Sequence, residues 1–204
     1  MKVVIIKYNA GNVQSLEFAL NRLGIEPAIT DDIEEIQRAD KIIFPGQGEA
    51  SSAMKYLKNK KLDQVLVHLR QPVLGICLGM QLMCDQTEEN NTKCLGIIEV
   101  NVKRFEGSLK VPHVGWNNIV KLLGPLFSKI REQDYLYFVH SYYAKPEDPS
   151  LVLTTTEYDH VFTSSIAKGN ILACQFHPEK SQKKGLQIYA NFASICDKRF
   201  SMGV

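Results

Sequence analysis

Short apolar runs alternate with amphipathic segments through the first half of this 204-residue chain. Lys2 to Tyr8, Pro27 to Thr30, Lys41 to Phe44 and Val73 to Ile76 read as strands. The last is apolar and nearly unbroken, the pattern of a central parallel strand covered by helices on both faces. Between the first two strands, Val13, Leu16, Ala19, Leu20 and Leu23 recur on one helical face, with Asn12 placed to cap its start and Gly24 to stop it. Leu62, Val65, Leu66 and Leu69 predict a helix over Leu62 to Leu69. Met80, Leu82 and Met83 predict another after Cys77. This alternation predicts a three-layer α/β fold with a mostly parallel open sheet and flanking helices.

The second half is β-rich. After the polar stretch Asp85 to Lys93, strands are predicted over Leu95 to Phe105, Val114 to Val120, Tyr135 to Tyr142, Leu151 to Thr156, Val161 to Ile166 and Ile171 to Phe176. A last helix is predicted from Lys184 to Cys196. No repeat, low-complexity tract or flexible linker interrupts the chain, so residues 1–204 read as a single domain whose β-rich half joins the same sheet.

Charge narrows the field. A balance of 24 Lys and Arg against 22 Asp and Glu gives a formal +2, which predicts no nucleic-acid partner. The short runs Lys58-Asn59-Lys60-Lys61 and Lys183-Lys184 read as solvated faces. Nothing reaches membrane-spanning length, and the N-terminus enters Val3-Val4-Ile5-Ile6 without a basic leader, so the expectation is a cytoplasmic chain with no membrane contact. The 5 cysteines are odd in number and form no CxxC pair, which argues against a disulfide scaffold or a zinc knuckle. No ligand-like His, Cys and acid spacing and no Walker-type phosphate loop are present, so no metal and no cofactor are expected.

Candidate chemistry centres on Gly75-Ile76-Cys77-Leu78-Gly79-Met80-Gln81. An apolar strand that turns through small residues into a helix can hold a side chain out at the apex. A thiol placed there meets exposed backbone N–H groups that favour its thiolate. The competing reading is a buried structural cysteine between two packing glycines. Cys84, Cys94, Cys174 and Cys196 lack such a setting and read as structural. Far along the chain, His177-Pro178-Glu179 ends another apolar run: Pro178 fixes the exit, and Glu179 can return to orient the His177 ring as base for Cys77. His68 and His160 read as filler, and His113 is left open. Pro45-Gly46-Gln47-Gly48 follows a strand and can offer peptide N–H groups to an oxyanion, or be a tight turn alone.

These residues resemble the class I (triad-type) glutamine amidotransferases. Gly75 to Gln81 looks like their nucleophile elbow, and His177-Pro178-Glu179 like their base and orienting acid. Within the class, the chain is most similar to the glutaminase subunits of imidazole glycerol phosphate synthases. Tyr8-Asn9-Ala10-Gly11-Asn12-Val13-Gln14-Ser15, Pro45 to Gly48, His113-Val114-Gly115-Trp116-Asn117, Tyr137-Phe138-Val139-His140-Ser141-Tyr142 and His177 to Ser181 carry that similarity over essentially the whole chain.

The resemblance implies hydrolysis of L-glutamine through a Cys77 thioester, with ammonia passed to a (β/α)8-barrel cyclase or synthase subunit in a heterodimer serving histidine biosynthesis. It implies catalytic Cys77, His177 and Glu179. It implies an oxyanion and substrate environment of Gly46, Gln47, Gly48, Leu78, Gln81, His140, Ser141 and Tyr142. It also implies a partner face carrying Asn12, Trp116, Tyr137 and Lys180, although Trp116 and Tyr137 also read as core aromatics. Asn9 and Gln47 depart from the family pattern, which has glycine and a small apolar residue there. They keep open a paralogous amidotransferase that feeds a related synthase in nucleotide-sugar or surface-polysaccharide precursor amination. A non-catalytic binding subunit and a general cysteine hydrolase are further alternatives.

Overall fold

In a computed structural model, which describes residues 1–9 and 13–195, five parallel strands form the heart of the molecule. They are β1 (Val3–Ile6), β2 (Ala28–Thr30), β3 (Lys41–Phe44), β4 (Val73–Ile76) and, much later, β13 (Ile171–Cys174). The chain enters the second half through the short strands β5 (Gln86–Thr87) and β6 (Thr92–Lys93). It continues through β7 (Asn101–Arg104), β8 (His113–Asn118), β9 (Tyr135–His140), β10 (Tyr142–Lys145), β11 (Val152–Tyr158) and β12 (His160–Lys168). The main sheet runs β11-β12-β13-β4-β3-β1-β2, with β12 antiparallel to both its neighbours, so that β11 runs in the direction of the parallel strands.

Period-two alternation sends each strand's side chains into two separate cores. Val4, Ile6, Ile42, Phe44, Val73 and Ala173 point to one. Val3, Ile5, Ile43, Leu74, Ile76 and Leu172 point to the other. Helices α1 (Val13–Asn21) and α6 (Gln182–Ser194) cover the second core. Helices α2 (Ile33–Gln37), α3 (Ala50–Asn59), α4 (Leu62–Leu66) and α5 (Leu78–Leu82) cover the first. This is the three-layer α/β arrangement expected from the sequence.

Several local expectations need correction. α3 was not anticipated: Ala50, Ala53, Met54 and Leu57 are its buried face, but alanine and serine dilute the apolar signal, and the N-cap is a glutamate. Glu49 accepts the Ser51 and Ser52 N–H groups at 3.0 and 2.8 Å. The strand predicted over Leu95 to Phe105 shrinks to β7. The backbone N–H groups of Leu95, Gly96, Ile97 and Ile98 instead bond the carbonyls of Leu82, Cys84 and Met83, where the helical turn after α5 leaves them open. The strand predicted over Tyr135 to Tyr142 breaks at Ser141, because β9 pairs with β8 whereas β10 pairs with β7. Only part of the β-rich half therefore joins the main sheet. β10-β7-β5-β6 form a second sheet and β8-β9 a ribbon. Asn12, expected as helix cap and partner residue, and Cys196, expected to end the last helix, lie outside the described residues.

Candidate active site

β4 and β13 lie side by side and parallel, with Ile76 opposite Cys174, so the chain leaves both strands at the same sheet edge. That register brings Cys77 and His177 together across 100 residues of sequence. Cys77 turns from β4 into α5 with φ 50° and ψ −106°, a conformation that costs a non-glycine residue about 1–3 kcal/mol. Its surroundings hold it there. The Cys77 N–H donates to the Cys174 carbonyl at 2.8 Å. A methyl group on Gly79 would overlap the carbonyls of Phe44 and Pro45, and one on Gly46 would overlap Leu78 and Gly79. The loop after β3 and the elbow after β4 are thus packed backbone against backbone. α5 is only five residues long, so the thiol meets one turn of N–H groups rather than a long helix.

His177 is almost completely buried. Its N–H donates to the Tyr137 carbonyl at 2.8 Å, which fixes the residue against β9. Pro178–Lys180 form a 3-10 turn that brings Glu179 back, and Glu179 Oε1 accepts from His177 Nδ1 at 2.7 Å. The carboxylate's other oxygen accepts from Tyr189 OH at 3.2 Å. With Nδ1 committed as a donor, Nε2 is the ring nitrogen left for chemistry, and it has no hydrogen-bond partner among the described residues. Burial opposes charge on this imidazole, but the neighbouring Cys77 sulfur and Glu179 outweigh it and push His177 up to about 10. Burial likewise works against the Glu179 carboxylate, and hydrogen bonding and charge from His177 bring it below the ordinary range. The electrostatics favour an imidazolium beside Cys77.

Cys77 and His177 open on a cavity of about 360 Å³. Gln47, Gly48, Leu78, Gln81, His140, Ser141, Tyr142 and Lys180 line it as well. Gly46 lies behind Leu78, and Glu179 lies behind the His177 ring. Gln81 does more than face the cavity: its amide nitrogen donates to the Tyr142 carbonyl and to Gln175 Oε1, both at 3.1 Å. Trp116 and Tyr137 face each other across the β8-β9 ribbon with ring centroids 5.8 Å apart, and Lys180 Nζ lies 5.7 Å from the Tyr137 ring. Trp116 is 46% exposed, which removes the core reading for it.

Four residues of the site were not anticipated. Glu89, Pro112 and Val139 line the cavity. Buried Gln175 places Nε2 3.4 Å from Cys77 Sγ. Glu89 sits in a polar stretch with no periodicity to single it out, and it accepts the Ala50 N–H at 2.8 Å. Gln175, by contrast, sits two residues before His177 in the segment already singled out. His113, left open by the sequence, is buried and bonded to His140 at 3.2 Å. Among the described residues no cluster could hold a metal ion, and no helix is long and apolar enough to cross a membrane.

Residues 4–196 match the family described as Glutamine amidotransferase class-I. The chain belongs to that family. It is 50% identical to the imidazole glycerol phosphate synthase subunit HisH of Bacteroides thetaiotaomicron, over 96% of this chain and 100% of that one. It is 43% identical to the HisH subunit of Colwellia psychrerythraea, over 95% and 93%. A crystal structure of a glutamine amidotransferase superposes with a TM-score of 0.74 at 19% identity, covering 93% of this chain and 96% of that one, a likeness of fold.

Proposed function

We propose that this amidotransferase is the glutaminase subunit of an imidazole glycerol phosphate synthase. It hydrolyses L-glutamine at Cys77 and hands ammonia to a (β/α)8-barrel cyclase subunit in the cytoplasm. The supporting observation is the bonded His177–Glu179 pair beside a strained Cys77 elbow, with Cys77 and His177 opening on one cavity. The Cys77 thiolate attacks the side-chain amide carbon, and the carbonyl electrons move onto oxygen. Peptide N–H groups of the Gly46–Gly48 loop and of Leu78 are the donors for that oxyanion. As the carbon–nitrogen bond breaks, His177 Nε2–H protonates the leaving nitrogen, which departs as ammonia and leaves a γ-glutamyl thioester. His177 then takes a proton from water, whose oxygen attacks the thioester carbon. The carbon–sulfur bond breaks, releasing glutamate and restoring the thiolate.

Glu89 is the carboxylate lining the cavity and is suited to pair with the substrate's ammonium group, while the Ser141 and Tyr142 wall holds its backbone side. Trp116, Tyr137 and Lys180 form the adjoining face on which the cyclase would sit; Asn12, outside the described residues, is assigned to the partner by resemblance alone. Because the Tyr137 carbonyl holds the His177 N–H, that face is one residue from the base. Replacing Cys77 by alanine is expected to abolish ammonia release. Mixing the wild-type chain with its synthase subunit is expected to give glutamine-dependent cyclisation of the phosphorylated ribulosyl intermediate. Retained ammonia release in Cys77→Ala would refute the catalytic assignment.

A further inference from the structure

A chain of hydrogen bonds that does not include the catalytic imidazole reaches the Cys77 sulfur, and the direction of each bond follows from chemistry. The Tyr142 carbonyl can only accept, so both His140 Nδ1, at 2.7 Å, and Gln81 Nε2, at 3.1 Å, donate to it. Burial keeps His140 neutral, holding it down to about 3, so with Nδ1 protonated its Nε2 is an acceptor. His113 Nδ1, 3.2 Å away, is then the donor, and His113 Nε2 accepts from Asn117 Nδ2 at 3.4 Å. On the other side of Tyr142, the second hydrogen of Gln81 Nε2 goes to Gln175 Oε1 at 3.1 Å. Gln175 therefore has one orientation: its oxygen faces Gln81 and its Nε2–H faces Cys77 Sγ at 3.4 Å. A flipped Gln175 would set N–H against N–H at Gln81 and oxygen against the sulfur anion.

We propose that Gln175 is a further catalytic group, a fixed buried amide donor that stabilises the Cys77 thiolate before attack and again when the thioester breaks. The inference rests on Cys77 being the nucleophile. It differs from oxyanion stabilisation, because the charge Gln175 meets is on sulfur and is largest when no tetrahedral intermediate exists. The cost of burying a primary amide is offset because all three polar bonds of the Gln81–Gln175 pair are made with fixed partners. Losing such a donor to a charged acceptor lowers the thiolate fraction by roughly 10- to 100-fold.

The test is the rate of Cys77 alkylation by iodoacetamide as a function of pH, followed by mass spectrometry of the full chain, alongside glutaminase activity. The groups that face Cys77 and shape this profile are His177 with Glu179 behind it, Tyr8, Cys174 and His140, with Glu89 and Lys180 across the cavity. None is altered by changing Gln175. In Gln175→Met, which keeps the volume and removes the donor, the profile is expected to move up by roughly one to two pH units. Gln175→Glu, which presents an oxygen to the sulfur, is expected to move it the same way. Circular dichroism selects whichever variant is folded for the comparison. A profile superimposable on wild type in a folded variant overturns the role of Gln175. Wild-type protein that is fully alkylated at Cys77 yet still releases ammonia overturns the nucleophile assignment, and the inference with it.

Discussion

The α-carbon of Gly79 rests against the carbonyl of Phe44, leaving no room for a side chain between the elbow that carries Cys77 and the end of β3. The contact joins two adjacent parallel strands where the chain leaves them, so the proposed nucleophile and the Gly46 loop share one backbone-to-backbone seam. Gly79→Ala is expected to destabilise the fold by about 2 kcal/mol or more, since the neighbours are backbone and cannot rotate away. Gly75→Ala meets the flexible Met83 side chain first, at 3.0 Å, and is expected to cost less. Urea unfolding of the two variants checks the ranking. Equal midpoints would show that the seam yields more easily than its geometry indicates.

In the proposed mechanism Glu179 has two jobs, holding His177 Nδ1–H and stabilising the imidazolium, and an amide cannot do both. Glu179→Gln can present its oxygen to Nδ1–H only by turning its NH₂ onto Tyr189 OH, which then loses its acceptor, and it carries no charge. Steady-state ammonia release is expected to fall by roughly two to four orders of magnitude with the elbow intact. Glu89→Gln, in contrast, is expected to raise KM for glutamine with a smaller effect on kcat, because the group pairs with the ammonium end and not with the reacting carbon. A fall in kcat with KM unchanged would remove Glu89 from the binding role.

How much of this was legible in the sequence depends on what each residue's pattern reflects. The strands Lys41–Phe44 and Val73–Ile76 were placed to the residue because both faces of the strand are buried and, Lys41 apart, no position carries a polar side chain. The elbow and the His-Pro-Glu turn were legible because glycine and proline mark local backbone demands. The Leu95–Ile98 segment misled because its apolar residues are buried while its backbone bonds the turn after α5, a tertiary fact with no local trace. Glu89 and the orientation of Gln175 were hidden for the same reason: the residues that define their roles lie up to 98 positions away. The Trp116 alternative was open in sequence because an aromatic on a ribbon serves equally well as core or as exposed anchor.

The paired histidines set an acid limit on stability. Burial holds His113 down to about 4 and His140 to about 3, against an ordinary value near 6.5. Below 6.5 the unfolded chain binds protons that the folded chain refuses, so stability falls as pH drops from 6.5 through these lower values. His177 is shifted in the opposite direction and is protonated in both states below 6.5, so it does not add to that slope. Carboxylates such as Glu49, held down to about 2 by hydrogen bonds from Ser51 and Asn90, contribute only below about 4.5. Across the interval from about 6.5 to 4.5 the histidines lower stability as pH falls, opposed by Glu89, whose carboxyl burial raises above the ordinary range. The urea midpoint is expected to decline across it, and to decline less in His113→Asn. An identical slope in that variant would exclude the pair as its origin.

Asn9 offers a structural account of restraint in the subunit by itself. Its Nδ2 donates to Ser52 Oγ at 2.8 Å, in the first turn of α3, while the preceding Tyr8 hydroxyl donates to the Pro45 carbonyl. The two neighbours thus grip the Gly46–Gly48 loop from beyond each end. A loop held at both ends reorients a peptide less readily, and one misplaced oxyanion donor costs about 3 kcal/mol, roughly two orders of magnitude in rate. The isolated subunit is therefore expected to be a poor glutaminase that is accelerated by its synthase subunit. Asn9→Gly, which removes the Ser52 bond and leaves Tyr8 in place, is expected to raise the unassisted rate several-fold and so shrink the acceleration by the partner. Ammonia release from the two proteins, each with and without the synthase subunit, measures both quantities. A lower unassisted rate in Asn9→Gly would mean that the bond holds the loop in its working arrangement instead.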